Sequence, residues 1–140
     1  MVAARAGVFV DSGAWIALFR GRDDHHREAD DLFRRAIRDR VPLLTTNLVL
    51  AEAHRFVLHR AGIRPAALAI ERIATSPHVR IVFADAEHDS GARQWLARFS
   101  DQPITYTDAV SFVVMKAAGL RAVMTFDRDF TVAGFSLWRG

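Results

Sequence analysis

Three aspartates occupy positions where they could meet and bind a metal ion. Asp11 directly follows a short apolar run, and Asp127 closes another apolar run near the end of the chain. Asp108 stands in the first turn of a predicted helix, beside Thr107. In an open parallel α/β sheet, strand ends and helix starts of this kind lie along the edge where ligands bind. The sequence therefore predicts that the three carboxylates converge at one edge of a sheet.

A fourth carboxylate, Glu52, belongs to a long predicted helix. It is four residues from Leu48 and from Phe56 and three from Val49, so it projects from the apolar stripe of that helix. A carboxylate in such a place must be paired, protonated or bound to a metal, because an isolated buried charge is costly. We therefore expect Glu52 to join the three aspartates.

Four carboxylates in one pocket need cations. Each pair at about 4 Å repels by ~4 kcal/mol at an effective dielectric constant of 20. Hard oxygen donors, in a chain without cysteine and without histidines at ligand spacing, favour Mg²⁺ or Mn²⁺ over zinc. One or two such ions would make a bound water nucleophilic and would neutralise phosphate oxygens. The predicted chemistry is metal-assisted hydrolysis of a phosphodiester.

Each carboxylate also has an ordinary structural interpretation. Asp11 could cap a helix at a strand end, and Asp127 could form a turn. The dipole of its helix favours Asp108 at the first turn. Glu52 could form an ion pair with Arg55 or with an arginine from elsewhere in the chain. Metal binding therefore requires that the four side chains converge.

The elements that must position these residues alternate between strand and helix. Apolar runs bounded by turn residues predict strands at 8–10, 42–46 and 79–83, a strand that ends at 127, and an edge strand at 135–138. Helical spacing predicts helices at 14–19 with Ser12 as N-cap, from 23 or 24 onward, at 47–61, from 64 to 76, after Asp85 as N-cap, from 105 to 119, and as one short turn within 128–134. This alternation predicts a mostly parallel sheet with helices on both faces.

Length and composition restrict the class of protein. A chain of 140 residues with 51% hydrophobic content predicts one domain over residues 1–140. The absence of cysteine excludes disulfides and thiolate metal sites. No signal peptide is recognisable, and no apolar stretch approaches the roughly 20 residues that span a bilayer. A cytoplasmic protein without membrane association is the expectation.

The basic residues and the glycines bear on the partners. Of the 19 basic residues, all but Lys116 are arginine, whose planar fork suits phosphate oxygens. A high-GC coding bias would produce the same excess of arginine. The eight glycines form neither a dinucleotide-binding fingerprint nor a phosphate-binding P-loop, which argues against a nucleotide cofactor.

Four sequence blocks carry a family resemblance. They are Val-Phe-Val-Asp11-Ser-Gly-Ala-Trp, Thr-Asn-Leu-Val-Leu-Ala-Glu52, Thr-Tyr-Thr-Asp108-Ala-Val-Ser-Phe and Met-Thr-Phe-Asp127-Arg-Asp129-Phe. Because the four blocks occur in this order and at this spacing, the chain resembles a PIN domain of the VapC toxin type over nearly its whole length. The resemblance implies an α/β/α sandwich with a mostly parallel central sheet and a Mg²⁺- or Mn²⁺-dependent endoribonuclease. It also implies a dimer and a cognate antitoxin whose C-terminal segment wraps the toxin.

The same resemblance assigns roles to individual residues. It makes Asp11, Glu52, Asp108 and Asp127 the acidic quartet that holds the metal and acts on the RNA. Ser12 and Thr125 would be polar neighbours that orient carboxylates or water. Asp129 departs from many relatives, which often have histidine there; it would either contact a second metal ion or cap the short helix that follows.

Two other functions are compatible with parts of the sequence. One is a non-catalytic PIN-fold module that binds RNA or a protein partner, although acids at all four blocks oppose this. The other is a phosphate-accepting receiver-like domain, which would need paired acids after the first strand and a lysine after the last. Here Asp11 is single and Lys116 lies within a helix.

A set of aromatic residues near the N-terminal half offers a docking surface. If exposed, these side chains would form a groove for an antitoxin helix or for a second copy of the chain. If buried, they would be ordinary core residues. They are Trp15, Phe19, Phe33 and Phe56.

Overall fold

The computed structural model describes residues 7–140, which form a parallel five-stranded sheet flanked by helices. The strands are β1 (Val8–Val10), β2 (Leu43–Thr46), β3 (Val79–Val82), β4 (Ala122–Met124) and β5 (Ser136–Leu137). The helices are α1 (Ser12–Phe19), α2 (His26–Arg38), α3 (Asn47–Ala61), α4 (Ile63–Thr75), α5 (Ala86–Arg98), α6 (Tyr106–Ala117) and α7 (Asp129–Val132). The sheet order is β3-β2-β1-β4-β5, and all four pairings are parallel. The predicted α/β architecture is confirmed.

Two groups of helices enclose the sheet. Helices α1 to α4 contact one another in the pairs α1–α2, α1–α3 and α3–α4, whereas α5 packs on α6. Strand β1 lies in the middle of the sheet, and its three residues are fully buried. This burial explains why the strand reads as a continuous apolar run rather than an alternating one.

Parallel pairing brings the carboxyl ends of the strands to a single edge. Val10 at the end of β1 is in register with Met124 at the end of β4. The backbone N–H of Asp11 donates to the carbonyl of Met124 at 3.1 Å, which extends the ladder by one residue. Asp11 therefore leaves β1 beside the residues that follow β4, as the strand-end argument predicts.

A buried hydroxyl fastens two strands and a helix at that edge. The Thr45 hydroxyl donates to the carbonyl of Val10 at 2.9 Å and accepts from the indole nitrogen of Trp15 at 3.3 Å. The next residue, Thr46, caps α3 by accepting from the backbone N–H of Val49. Helix α3 thus begins directly at the end of β2, which places Glu52 in its second turn.

Most element boundaries follow the sequence, but one strand end and two helix starts differ. Strand β4 ends at Met124 rather than at 127, because the residues from Thr125 onward form a loop that leads to α7. The predicted limits of α3 are confirmed, with Gly62 at φ 99° after its last residue, and so is the Asp85 cap of α5. Ser12 is not the N-cap of α1. The chain is still extended at Asp11, whose backbone carbonyl accepts the first helical N–H groups. Helix α2 starts at His26 rather than at 23 or 24, because the preceding residues form a turn.

No helix within residues 7–140 combines the length and the apolar character needed to span a membrane. The longest, α3, has 15 residues and carries charged side chains along much of its surface.

Candidate metal centre

Asp11 presents a buried oxygen that lacks a partner. The residue is only 4% exposed. Within the described part of the chain its Oδ1 atom has no hydrogen-bond partner, although it is shielded from solvent. A buried, unpaired carboxylate oxygen is costly and rare in folded proteins. This atom is therefore available to a cation or to a proton.

Thr125 connects Asp11 with Asp127. Its hydroxyl donates to Asp11 Oδ2 at 2.9 Å and accepts from the backbone N–H of Asp127 at 3.1 Å. One buried hydroxyl thus fixes the orientation of the first carboxylate and the path of the chain that carries the second. This geometry fits the orienting role that the family resemblance implies for Thr125.

For the endoribonuclease that the family resemblance implies, we expect Thr125→Val to reduce RNA cleavage by about 10- to 100-fold, the range seen when a residue that orients a metal ligand is lost. The substitution keeps the side-chain volume but removes the donor to Asp11 and the acceptor for Asp127. Cleavage assays across a Mn²⁺ titration would measure the effect. Thr125→Ser is the matched control because it keeps the hydroxyl, and equal activity of the valine and serine variants would contradict the expectation.

Three other carboxylates form a compact group. Asp108, Asp127 and Asp129 each offer an oxygen, and these three oxygens lie within 4.8 Å of one another. Asp108 is buried in the first turn of α6, where its backbone N–H donates to the Thr105 hydroxyl at 3.1 Å. Asp127 is exposed and accepts from the backbone N–H of Asp129 at 3.0 Å. The hydrogen bond from Asp129 shows that Asp127 supports the start of α7.

Burial and mutual repulsion raise the pKa values of these groups. Burial raises the pKa of the Asp108 carboxyl to about 7, and the charges of Asp11 and Asp127 act in the same direction. Burial likewise raises the pKa of the Asp11 carboxyl to about 6, aided by the charges of Glu52 and Asp127. The pKa of Asp129 is also raised, first by burial and then by the charge of Asp127. Without cations, the site therefore tends to hold protons.

Glu52 lies beside this group rather than within it. It is half-buried on α3 and lines a hollow of about 430 Å³ together with Ser12, Arg55 and Phe56. Among residues 7–140, no basic side-chain nitrogen lies within 4.0 Å of its carboxylate, so the ion pair with Arg55 is not formed. Its charge nevertheless acts on Asp11. Ser12 lines both this hollow and the cavity over the aspartates, and so stands between them.

The donor set fits a hard divalent cation. The converging ligand atoms are carboxylate oxygens, the unpaired Oδ1 of Asp11 adds another, and the chain contains no thiolate. Such oxygen donors suit Mg²⁺ or Mn²⁺ rather than zinc. A cation would favour ionisation of the groups whose pKa values are raised and would offset their repulsion.

The cavity above the aspartates is also lined by residues that were not predicted from the sequence to belong to the site. It has a volume of about 780 Å³. His25 and Phe126 stack on one another in its wall, and Gln102 and Arg128 line it as well. These residues come from loops whose conformation leaves no periodic signal in the sequence.

The four aromatic residues divide between core and surface. Trp15 and Phe33 are buried, with ring centroids 4.9 Å apart, and so are core residues. Phe19 and Phe56 are half-buried. Phe19 borders an apolar groove of about 460 Å³, whereas Phe56 lies in the Glu52 hollow under the guanidinium groups of Arg20 and Arg60. The four side chains do not form one exposed surface.

Comparisons with known proteins identify the family of the chain. The PIN domain family model matches residues 8–136. A curated relative from Mycobacterium tuberculosis, named 23S rRNA-specific endonuclease VapC20, is 35% identical over 129 residues, which cover 91% of this chain and 95% of the relative.

Solved structures give the same result. The crystal structure of Mycobacterium tuberculosis VapC20, described as a Sarcin-Ricin loop cleaving toxin, superposes with a TM-score of 0.85 at 32% identity, and the match covers 96% of this chain and all of that one. The crystal structure of FitAcB from Neisseria gonorrhoeae matches at a TM-score of 0.65 and 19% identity, over 94% of this chain and 96% of that one, and supports the fold alone. The chain therefore belongs to the PIN-domain family, among proteins of the VapC toxin type.

Proposed function

We propose that this protein is a metal-dependent endoribonuclease that acts as the toxin of a toxin–antitoxin pair. The observation that carries the proposal is the group of three carboxylates within 4.8 Å, beside the unpaired buried oxygen of Asp11. Arranged on one edge of a parallel sheet, these acids have the composition of a Mg²⁺ or Mn²⁺ site. Their dense negative charge would repel RNA unless cations were bound.

The residues have distinct proposed tasks. Asp108, Asp127 and Asp11 hold the cation, Asp129 completes the group, and Glu52 holds water or a second ion from the side of α3. When bound, a divalent cation supplies a more acidic water and neutralises charge on the phosphate. The attacking water passes its proton to a carboxylate, and the phosphorus–oxygen bond to the leaving ribose breaks as that oxygen takes up a proton.

Cleavage of RNA should require added Mg²⁺ or Mn²⁺ and stop in excess chelator. Gel analysis of a labelled RNA, with and without each ion, would measure this. The loss should be reversed by excess metal, which excludes damage by the chelator. RNA binding without cleavage in either metal would refute the nuclease and leave a non-catalytic binding module.

We propose ribosomal RNA as the substrate class. The relative that carries the name 23S rRNA-specific endonuclease shares 35% identity over most of both chains, and the VapC20 structure superposes closely. We also propose that the protein acts in the cytoplasm and that residues 1–140 form one domain, since the buried side chains of the described residues form one hydrophobic cluster. Primer extension on ribosomal RNA from treated ribosomes would locate the cut, and intact ribosomal RNA beside cleaved messenger RNA would contradict this assignment.

The apolar groove is the proposed docking surface for an antitoxin segment. Phe19 and Leu18 of α1, Ile37 of α2 and Ile73 of α4 line it, and Ile37 is 47% exposed. An amphipathic helix could cover these side chains. We also propose a homodimer. Light scattering of the protein alone and with the product of the adjacent gene would test the homodimer and the antitoxin complex. A protein that remains monomeric and does not bind that product would contradict both proposals.

A further inference from the structure

Two aromatic rings stack at the wall of the acidic cavity. The imidazole of His25 and the ring of Phe126 have centroids 4.2 Å apart and are inclined by only 6°. Both residues line the cavity that also contains Asp11 and Asp127. The stack therefore lies beside the carboxylates rather than elsewhere on the surface.

The stack is not part of the hydrophobic core. The His25 side chain is 51% exposed, and Phe126 is only partly buried, packed against the edge of the core. Core rings such as those of Phe112 and Phe130 are fully enclosed and contact other apolar side chains. Core packing therefore does not explain why a solvated imidazole covers a phenyl ring at this place.

Both rings are held in position by their local backbone. Phe126 lies between Thr125, which bonds to Asp11, and Asp127. On the other side, the backbone N–H of His25 donates to Asp23 Oδ1 at 2.9 Å. The neighbouring His26 ring bonds to the carbonyl of Ala17 at 2.7 Å, which ties this turn to α1. The stack is thus a preformed surface at a fixed position relative to the acids.

Flat ring pairs of this kind suit nucleobases. Proteins that recognise unpaired RNA splay the bases out and stack them on aromatic side chains, histidine included. Such stacking is tolerant of sequence and contributes substantially to the binding of each base. The same cavity contains Arg128 and Gln102, whose donors could reach the edge of a stacked base or its phosphate.

We propose that His25 and Phe126 form a stacking subsite for the nucleobase next to the scissile phosphate. The subsite deepens the proposed ribonuclease function and rests on it. A base held there fixes the position of its phosphate over the carboxylates, so the pair contributes to substrate binding and alignment rather than to proton transfer. The substrate at the cut is accordingly an unpaired, splayed nucleotide.

Loss of either ring should lower kcat/KM by about tenfold, the effect of one lost base–aromatic stack. His25→Ala removes the exposed ring, and Phe126→Leu keeps apolar volume without an aromatic face. His25→Phe should retain activity because it preserves stacking, whereas His25→Lys, which has a charged group but no ring, should behave like the alanine variant. Activity in His25→Lys together with loss in His25→Phe would overturn the stacking role.

An abasic substrate gives an independent test. In the wild type, an abasic ribose at the stacked position should lower kcat/KM by about tenfold. In Phe126→Leu, the same abasic substrate should be cleaved about as well as the intact RNA, because the interaction is already lost. Full additivity of the two changes at every position around the cut would overturn the proposal.

The control variant is Phe83→Ala. Phe83 is 69% exposed after the edge strand β3 and does not line the acidic cavity, so its loss should leave kcat/KM unchanged.

The fluorescence of 2-aminopurine placed in the RNA reports base stacking without any need for cleavage. On the Asp108→Asn protein the stacked position should be quenched, and the quench should disappear when His25→Ala is added. A wild type that cuts no RNA would refute the proposed function, whereas a cutting enzyme with unquenched base and unaffected His25 and Phe126 variants would overturn the subsite alone.

Discussion

Asp108→Asn is expected to reduce RNA cleavage by on the order of a thousandfold, because a metal ligand supplies several kcal/mol of transition-state charge stabilisation. The substitution keeps the shape of the side chain and the backbone bond to the Thr105 hydroxyl, so α6 should begin as before. It removes one negative charge from a group whose oxygens lie within 4.8 Å. The rate at which cleaved product forms from labelled RNA would be measured in saturating Mn²⁺ under single-turnover conditions.

Two further variants make the result specific. Glu52→Gln should cost less, about 10- to 100-fold, because Glu52 lies outside the three-carboxylate group and acts from beside it. Asp101→Asn should cost nothing, since Asp101 is exposed in the loop before α6. Cleavage by Asp108→Asn at the wild-type rate would exclude Asp108 as a ligand. Equal losses for Asp108 and Asp101 would point to an effect of net charge rather than of the site.

The convergence of Asp11 and Asp127 could be predicted because it follows from chain topology alone. Asp11 directly follows β1 and Asp127 lies three residues after β4, and parallel neighbours share an edge whatever the loops do. Thr125 was instead assigned by the family resemblance, and it lies directly after β4. The strand-end prediction needs only the order of the elements, which the alternation of the two periodicities encodes.

The arrangement around Asp129 could not be derived from the sequence. Either metal contact or capping of the short helix was compatible with the residue type. In the structure, the carboxylate of Asp127 accepts from the backbone N–H of Asp129, which leaves the Asp129 carboxylate within the group of three. The choice depends on a few dihedral angles of a short loop, and those are set by contacts that no local pattern records.

Long-range stacking was missed for a similar reason. His25 and Phe126 are 101 positions apart in the sequence, and their approach depends on the turn before α2. The sequence placed the start of α2 at 23 or 24, within that turn. In fact Asp23 accepts from the backbone N–H of His25, and the helix begins only at His26. The stack could be inferred only if the turn before His26 had been predicted correctly.

The rotation of α3 also lay beyond the sequence pattern. Helical spacing placed Glu52 correctly near the apolar stripe, but half-buried positions at the margin of a stripe can face either the site or solvent. The direct passage from Thr46 into α3 decides the rotation, since it leaves no loop to adjust the helix. Glu52 thereby reaches the hollow next to Ser12 and not the centre of the group.

The metal-free protein should lose stability as the pH rises from 5 to 8, by on the order of 4 kcal/mol. The pKa values of Asp108 and Asp11 are raised from 3.8 to about 7 and about 6. Between the ordinary and the raised values, the folded state binds more protons than the unfolded state, so the free energy of unfolding falls with pH. Denaturant titrations in chelator at several pH values would measure the slope.

Divalent metal should reverse this slope, because cations bind the ionised carboxylates of the folded state and stabilise it by mass action. Asp108→Asn makes the comparison decisive. In chelator at pH 8 the variant should be more stable than the wild type, since it lacks the buried charge with the most strongly raised pKa. In saturating Mn²⁺ the order should reverse, because the variant gains less from the metal. If the free energy of unfolding of the variant changed with pH as it does in the wild type, in chelator and in Mn²⁺ alike, Asp108 would neither take up a proton in this pH range nor bind the ion.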